Sequence, residues 1–379
     1  MTGSPAANAL ASEADLILAV GTRLQDFTTG SNSLFTEARL VSLNANALDA
    51  SKARGVPLQA DARLGLEALS KALPHWQAEA AWTAARQERS RLMAFTIEAI
   101  TNRRDLAAGE LPYDGEVIGA VQRSSPHSTI NDIVVCAAGT LPAELHKLWR
   151  TQTPAVTTWN TATPAWGMKI AGGLGVKMAR PDREVIVMVG DGSYLMLNNE
   201  IATSVMLDKK LIIVLLDNRG YGCINRLQQN CGGAPFNNML ADSLQFGEGA
   251  PNIDFAANAS SLGALSEKVA NLAELEARSR TRARGKRTYS DLHRHGRHAD
   301  DKGRRLVVGG SRSGGIAQES VRKARAAYVQ GKENQNAEQS MNLLIKPKKD
   351  SQEIVSVTPR SAGWRYISFS AHKLSPAKR

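Results

Sequence analysis

The chain is poor in cysteine, in aromatic residues and in long apolar runs, and each shortage removes a class of protein. Its three cysteines, Cys136, Cys223 and Cys231, cannot all pair with one another, and none sits at the C-x-x-C spacing of a zinc or redox site. They are read as reduced thiols with packing roles rather than as the frame of a disulfide-stapled scaffold. No stretch reaches the roughly 18 apolar residues of a membrane span. The opening Met1-Thr2-Gly3-Ser4-Pro5 lacks the basic region and apolar run of a secretory leader, so the expectation is a cytoplasmic protein with no membrane partner. Aromatics make up only 5% of the chain, yet hydrophobic residues make up 42%, enough for a buried core in a length of 379 residues that allows two or more domains.

Acidic residues are also in deficit, with 36 Asp and Glu against 47 Lys and Arg and a net charge of +11. The surplus is concentrated: residues 278–305 hold eleven Lys or Arg and three Asp, a net of +8, and the remainder is nearly neutral. Such a block attracts polyanions weakly through counterion release, and it is not read as a specific nucleic-acid surface. His293, His295 and His298 fall within or beside it without cysteines at a helpful spacing, and they are not read as a metal cluster.

What is present reads as α/β. The apolar run Leu16-Ile17-Leu18-Ala19-Val20 ends in Gly21-Thr22, and Leu40-Val41-Ser42-Leu43 ends in Asn44-Ala45-Asn46, which predicts two parallel strands joined through a helix. Residues 62–104 predict helix, interrupted at Pro74. A second α/β unit starts near Asn131, with Ile133-Val134-Val135-Cys136 as a buried strand and Pro142 in the first turn of the helix that follows. Two more continuous apolar runs, residues 185–189 and 211–216, flank a predicted helix over 199–207, and such runs belong to a parallel sheet covered on both faces. Beyond about Ala277 the pattern collapses into Arg, His, Gly and Ser, and a helical stretch returns at 319–329.

The strongest chemical signal is Gly190-Asp191-Gly192-Ser193 at the end of one apolar strand and Asp217-Asn218-Arg219-Gly220 at the end of the next, with 26 residues between Asp191 and Asn218. In a parallel sheet ligands gather at the carboxyl ends of strands, where loops and helix N-termini present amides and side chains. Asp191 offers a carboxylate and Asn218 a side-chain carbonyl, the hard oxygen donors magnesium prefers, and the Gly220 main-chain carbonyl is a candidate third ligand. Gly190 and Gly192 let backbone approach a phosphate closely. A Gly-Asp-Gly after a strand is by itself explained by a plain turn.

With the 26-residue spacing to Asn218, the segment resembles the thiamine-diphosphate enzyme family. The runs Asn199-Glu200-Ile201-Ala202-Thr203 and Asp217-Asn218-Arg219-Gly220-Tyr221-Gly222 match its acetolactate-synthase-like branch, with Asp217 in place of the usual first Asn. Thr2-Gly3-Ser4-Pro5-Ala6-Ala7-Asn8, Gly21-Thr22-Arg23-Leu24-Gln25-Asp26-Phe27 and the run from Tyr221 to Gln229 narrow the resemblance to the trihydroxycyclohexanedione hydrolases of inositol breakdown, over roughly residues 1–277. The resemblance implies a parallel-sheet domain that binds thiamine diphosphate and Mg2+, preceded by part of a Rossmann-like middle domain. It also implies hydrolytic carbon–carbon cleavage of a small cyclic diketone and, in the intact family, a homo-oligomer.

Carried over residue by residue, it puts Asp191, Asn218 and the Gly220 carbonyl on the metal, and Gly190, Gly192, Ser193, Tyr221 and the loop Ala138-Gly139-Thr140 against the cofactor. A simple strand-to-helix turn explains Ala138-Gly139-Thr140 equally well, and Glu200 is assigned no catalytic role. The family's activating glutamate lies on a first domain preceding the part matched here, so no catalytic residue is assigned.

The chain departs from the family over 155–167 and 290–316, where plausible codons read one base out of register restore the family pattern. Its tail, including Met341-Asn342-Leu343-Leu344 and Val357-Thr358-Pro359-Arg360, resembles the start of 5-deoxyglucuronate isomerase. The expected division is a partial middle domain over 1–75, a helical connector over 76–112, a thiamine-diphosphate and magnesium domain over 113–277, a shifted basic segment over 278–317, a helix over 318–334 and an isomerase-like tail over 335–379. Two competing readings are an acetolactate-synthase-like enzyme, which should lack the run from Tyr221 to Gln229, and a cofactor-binding fragment without catalysis.

Overall fold

A computed structural model describes residues 3–103, 106, 111–124, 132–136, 138–150, 166–242, 252–283, 288–294, 319–330, 356–357 and 366–368. The chain divides into one unit of Met1–Thr96 with Lys302–Arg379 and another of Ile97–Asp301.

In the first unit α1 (Pro5–Glu13), β1 (Leu16–Val20), α2 (Asp26–Thr29), β2 (Arg39–Asn44), α3 (Ala47–Ser51), β3 (Val56–Gln59) and α4 (Ala62–Ala72) follow in order, and α5 (Ala80–Thr101) runs across the division. Helix starts are written locally. The Ser4 hydroxyl accepts from the Ala7 amide at 3.2 Å with Pro5 in the first turn, and the Asp61 carboxylate accepts from Arg63 and Leu64 at 3.0 and 3.1 Å. The predicted strands are β1 and β2, which pair in parallel with Leu18 opposite Val41. The predicted helix over 62–104 is split between α4 and α5, around Pro74. Beside β2 lies β3, a strand the apolar pattern does not announce because all four of its residues are exposed.

The second unit holds α6 (Asp114–Ser124), β4 (Ile133–Val135), α7 (Thr140–Leu148), α8 (Met168–Ala179), β5 (Val185–Gly190), α9 (Asp191–Met196), α10 (Glu200–Met206), β6 (Ile212–Asp217), α11 (Gly222–Asn230), α12 (Phe255–Ser261), β7 (Leu265–Val269), α13 (Leu272–Ala283) and β8 (Tyr289–Arg294). Its sheet has the order β4-β5-β6-β8-β7 and every pairing is parallel. All of β6 and all of β5 except Gly190 are buried, as continuous β-branched and aliphatic runs require when helices cover both faces. Ile170 and Leu174 of α8, Tyr194 of α9, Ile201 of α10 and Phe255 and Ala259 of α12 close one core with Val187, Val189, Ile213 and Leu215. The protein is thus α/β, with this sheet wholly parallel and β1, β2 and β3 of the first unit also paired in parallel.

Two segments differ from the sequence expectation. The apolar pattern collapses beyond Ala277, yet α13 continues to Ala283 and β8 lies between β6 and β7, paired to both. Ladder hydrogen bonds are made by the backbone, so a polar run flanked on both sides can hold a strand that its side chains do not advertise. In the first unit, β9 (Ser356–Val357) and β10 (Tyr366–Ser368) extend the sheet, β10 pairing antiparallel with β1, to give the order β3-β2-β1-β10-β9. A helix occupies 319–330, where the pattern predicts one. Residues 155–165 of the first shifted stretch, 295–316 of the second and most of the tail lie outside the described residues. No helix among the described residues is long and apolar enough to cross a membrane.

Candidate cofactor site

The parallel register of β5 and β6 sets Gly190 beside Leu216, so the segments that follow, Asp191–Ser193 and Asn218–Gly220, leave the sheet at the same carboxyl edge. On the other side of β5, β4 delivers Ala138, Gly139 and Thr140 to that edge at the start of α7. All ten residues singled out in the sequence (Ala138, Gly139, Thr140, Gly190, Asp191, Gly192, Ser193, Asn218, Gly220 and Tyr221) line one open cavity. Glu200 is not among its lining residues; its carboxylate accepts from the Asn199 side-chain NH2 at 3.2 Å at the start of α10.

Asp191 is 4% exposed and starts α9. One carboxylate oxygen accepts from the Gly192 amide and the other from the Gly220 amide, both at 2.8 Å, so this side chain ties the two loops together. Burial pushes its carboxyl up to about 6; the Gly220 and Gly192 amides pull the other way, and the neighbouring Asp217 adds to the rise. Asp217 is itself buried, accepts from the Arg219 amide at 3.0 Å and lies 3.6 Å from the Arg219 guanidinium. Arg219 takes a left-handed φ of 64° and Gly220 a φ of 143°, and a Cβ on Gly220 would stand 2.5 Å from the Asn238 carbonyl oxygen. Only glycine fits there, which places the peptide between Arg219 and Gly220 against both Asp191 and the following loop.

The donor set suits a hard divalent cation. The Asn218 side-chain oxygen is buried and has no hydrogen-bond partner in the structure, an arrangement that costs free energy unless something else binds that oxygen. Asp191 holds more lone pairs than its two amide bonds use, and its raised proton affinity marks a negative charge that a cation would compensate. Among the described residues no group of three or more His, Cys, Asp or Glu is placed to hold a metal, so a cation here would rely on one carboxylate with amide, peptide and ligand oxygens. At the Ala138–Thr140 turn, Gly139 has a φ of 107° and nothing within 4 Å of where a Cβ would be, leaving its backbone open to the cavity.

Several lining residues carry no motif. Trp166 packs on Tyr221 with ring centroids 5.2 Å apart, and Asp114 and Cys223 also reach the cavity. Lys169, 2% exposed on the glycine-rich α8, donates to the Ala138 carbonyl at 3.0 Å and the Ser193 hydroxyl at 3.3 Å. Burial pulls its ammonium down to about 8, against the pull of Cys136, Asp114 and Asp191. A charge in an apolar helix stripe was the available signal for it, and the helix pattern alone does not say which cavity the side chain enters. Arg226 of α11 donates to the Thr140 hydroxyl. Cys136 is buried and its thiol is pushed up to about 12, so it stays protonated, as a packing role requires.

Residues 137–289 match the thiamine pyrophosphate enzyme C-terminal TPP binding domain, and residues 1–69 match the central domain of the same enzymes. The chain is 36% identical over 304 residues to the 3D-(3,5/4)-trihydroxycyclohexane-1,2-dione hydrolase of Geobacillus thermodenitrificans, 33% over 300 residues to that of Halalkalibacterium halodurans and 32% over 301 residues to that of Bacillus subtilis. Each alignment covers 73% of this chain and 46% of the relative, so the chain spans about half the length of the curated relatives it matches. Two successive domain matches, in the order of the two units, together with similarity to about half the length of the relatives named, establish that this chain belongs to the thiamine pyrophosphate enzymes.

Proposed function

We propose that this chain is the magnesium- and thiamine-diphosphate-binding portion of an enzyme that cleaves trihydroxycyclohexane-1,2-dione hydrolytically to 5-deoxyglucuronate, acting in the cytoplasm as a homo-oligomer. The observation that carries the reading is the convergence of Asp191, the unpartnered Asn218 carbonyl and Gly220 at one sheet edge with the Ala138–Thr140 turn. Asp191, Asn218 and the Gly220 carbonyl would hold Mg2+; Gly190, Gly192, Ser193 and the Ala138-Gly139-Thr140 backbone would hold the diphosphate, and Tyr221, backed by Trp166, would wall the cofactor. Thiamine diphosphate, when bound, supplies the nucleophilic carbon and electron sink that cleavage beside a carbonyl needs. The chain's own residues bind and orient it: the Asp191 carboxylate joins both loops, and the buried sheet beneath them keeps their spacing.

In this reading the middle-domain portion covers 1–75, the connector 76–112 and the cofactor domain 113–277, followed by the shifted segment 278–317, the helix over 318–334 and the isomerase-like tail 335–379. Calorimetry of the full chain with Mg2+ and thiamine diphosphate tests the reading, with Asp191→Ala as the partner sample. Saturable binding by the parent chain and its loss, by at least about a hundredfold, in the variant is expected. A folded parent chain that gives no binding heat would sink the proposal.

A further inference from the structure

Two lysines are buried on α8, and the contrast between them is informative. Lys177 spends its ammonium on the Pro181 and Arg183 carbonyls, at 3.1 and 2.5 Å, at the end of its own helix. Lys169 lines the cavity, where the Ala138 carbonyl and Ser193 hydroxyl take two of an ammonium's three donors. Among the described residues lining that cavity it is the one Lys or Arg, and it shares the lining with the carboxylates of Asp114 and Asp191.

The ammonium's hydrogen bonds go to neutral oxygens and the Asp114 and Asp191 carboxylates act on it only through space, which leaves a buried charge under-compensated, and the depressed proton affinity of Lys169 agrees with this. A diphosphate is multiply anionic near neutral pH, and the nearby carboxylates would repel it. One divalent cation beside Asp191 offsets only part of that charge. The two oxygens that hold Lys169 belong to Ala138 and Ser193, residues of the two segments that face the cavity from the ends of β4 and β5.

Building on the cofactor reading above, we propose that Lys169 is a phosphate-binding residue whose ammonium, aimed by the Ala138 carbonyl and the Ser193 hydroxyl, pairs with a phosphoryl oxygen of the bound diphosphate. Its contribution is charge and hydrogen bonding to the phosphate end, independent of the reacting carbon.

The test compares the full chain with Lys169→Met in calorimetric titrations of thiamine diphosphate and of inorganic pyrophosphate, each with Mg2+. Both ligands should bind the variant about ten- to a hundredfold more weakly, the loss expected of one charge-assisted hydrogen bond. Equal affinity for both proteins would overturn the role of Lys169 and leave the cofactor reading standing. Failure of the folded parent chain to bind either ligand would remove the cofactor reading and this inference with it. A crystal structure of the parent chain with magnesium pyrophosphate gives a readout that does not depend on the variant folding. The Lys169 Nζ within hydrogen-bond distance of a phosphoryl oxygen supports the assignment, and a diphosphate bound out of its reach overturns it.

Discussion

The second unit's sheet is built on β5 and β6, whose residues are buried almost end to end, whereas in the first unit's sheet β3 is exposed at every position and β1 and β2 are buried only in part. Among the described residues the core around Val187 and Ile213 draws side chains from four helices, while that around Leu18 and Leu43 is completed by partly buried neighbours such as Val20 and Leu66. The loops that carry Asp191 and Asn218 therefore spring from the more deeply packed sheet. On the proposed cofactor reading, a site that would hold a metal and a phosphate at fixed spacing gains from such a base, because a close-packed interior yields little when a ligand pulls on its edge.

The sharpest way to break this comparison is to truncate one strand residue in each sheet. Ile213→Ala should destabilise the protein by about 2–5 kcal/mol, since Ile213 is fully buried, whereas Leu58→Ala on β3, 36% exposed, should cost under about 0.5 kcal/mol. Chemical denaturation midpoints measure both, and similar shifts would mean the sheets are equally packed. Two helix glycines give a second contrast. A Cβ on Gly119 of α6 would collide with the Thr101 carbonyl, a backbone group with nowhere to go, while a Cβ on Gly65 of α4 would meet the Leu43 methyls at 2.8 Å, which can turn aside. Gly119→Ala should cost about 1–3 kcal/mol or more and Gly65→Ala less than about 1, read from thermal melts of each variant.

The smallest of these effects concerns two aspartates. The Asp191 carboxyl is raised to about 6 by burial, so below that pH a proton occupies the group, and on the proposed reading magnesium would have to displace it. Affinity for Mg2+ should be level above about pH 7 and fall by about tenfold per unit well below pH 6. Asp49 in the first unit is held below the usual carboxylate range by the Lys52 ammonium, and it stays ionised across that window. Asp49→Ala should leave the pH profile of magnesium binding unchanged, and titrations between pH 5 and 8 decide the matter.

Much of this architecture was legible from local pattern. The apolar runs at 16–20, 185–189 and 211–216 are strands because β-branched and aliphatic residues without alternation fit a sheet covered on both faces. The ten residues that share one cavity were singled out in the sequence partly because glycine, aspartate and asparagine at strand ends carry both a turn and a ligand chemistry, and partly through the family resemblance, which supplied Ala138, Thr140, Ser193 and Tyr221. β3 and β8 were not readable: one is exposed throughout, the other follows the end of the apolar pattern, and each is a strand because a neighbouring backbone pairs with it.

Trp166 and Lys169 were missed as lining residues for a related reason, since neither residue type at its place in the chain says which helix face meets the sheet edge. By itself the sequence determined the alternation of strands and helices, the two catalytically suggestive loops and the spacing between them, because these depend on short-range sterics and hydrophobic period. Only the tertiary structure decided that three strand ends share one cavity, that Asp191 bridges two loops, that the Asn218 oxygen lacks a partner and that a buried lysine joins them. Those facts depend on register and on long-range burial, which bring together groups as far apart in the chain as Ala138 and Asn218.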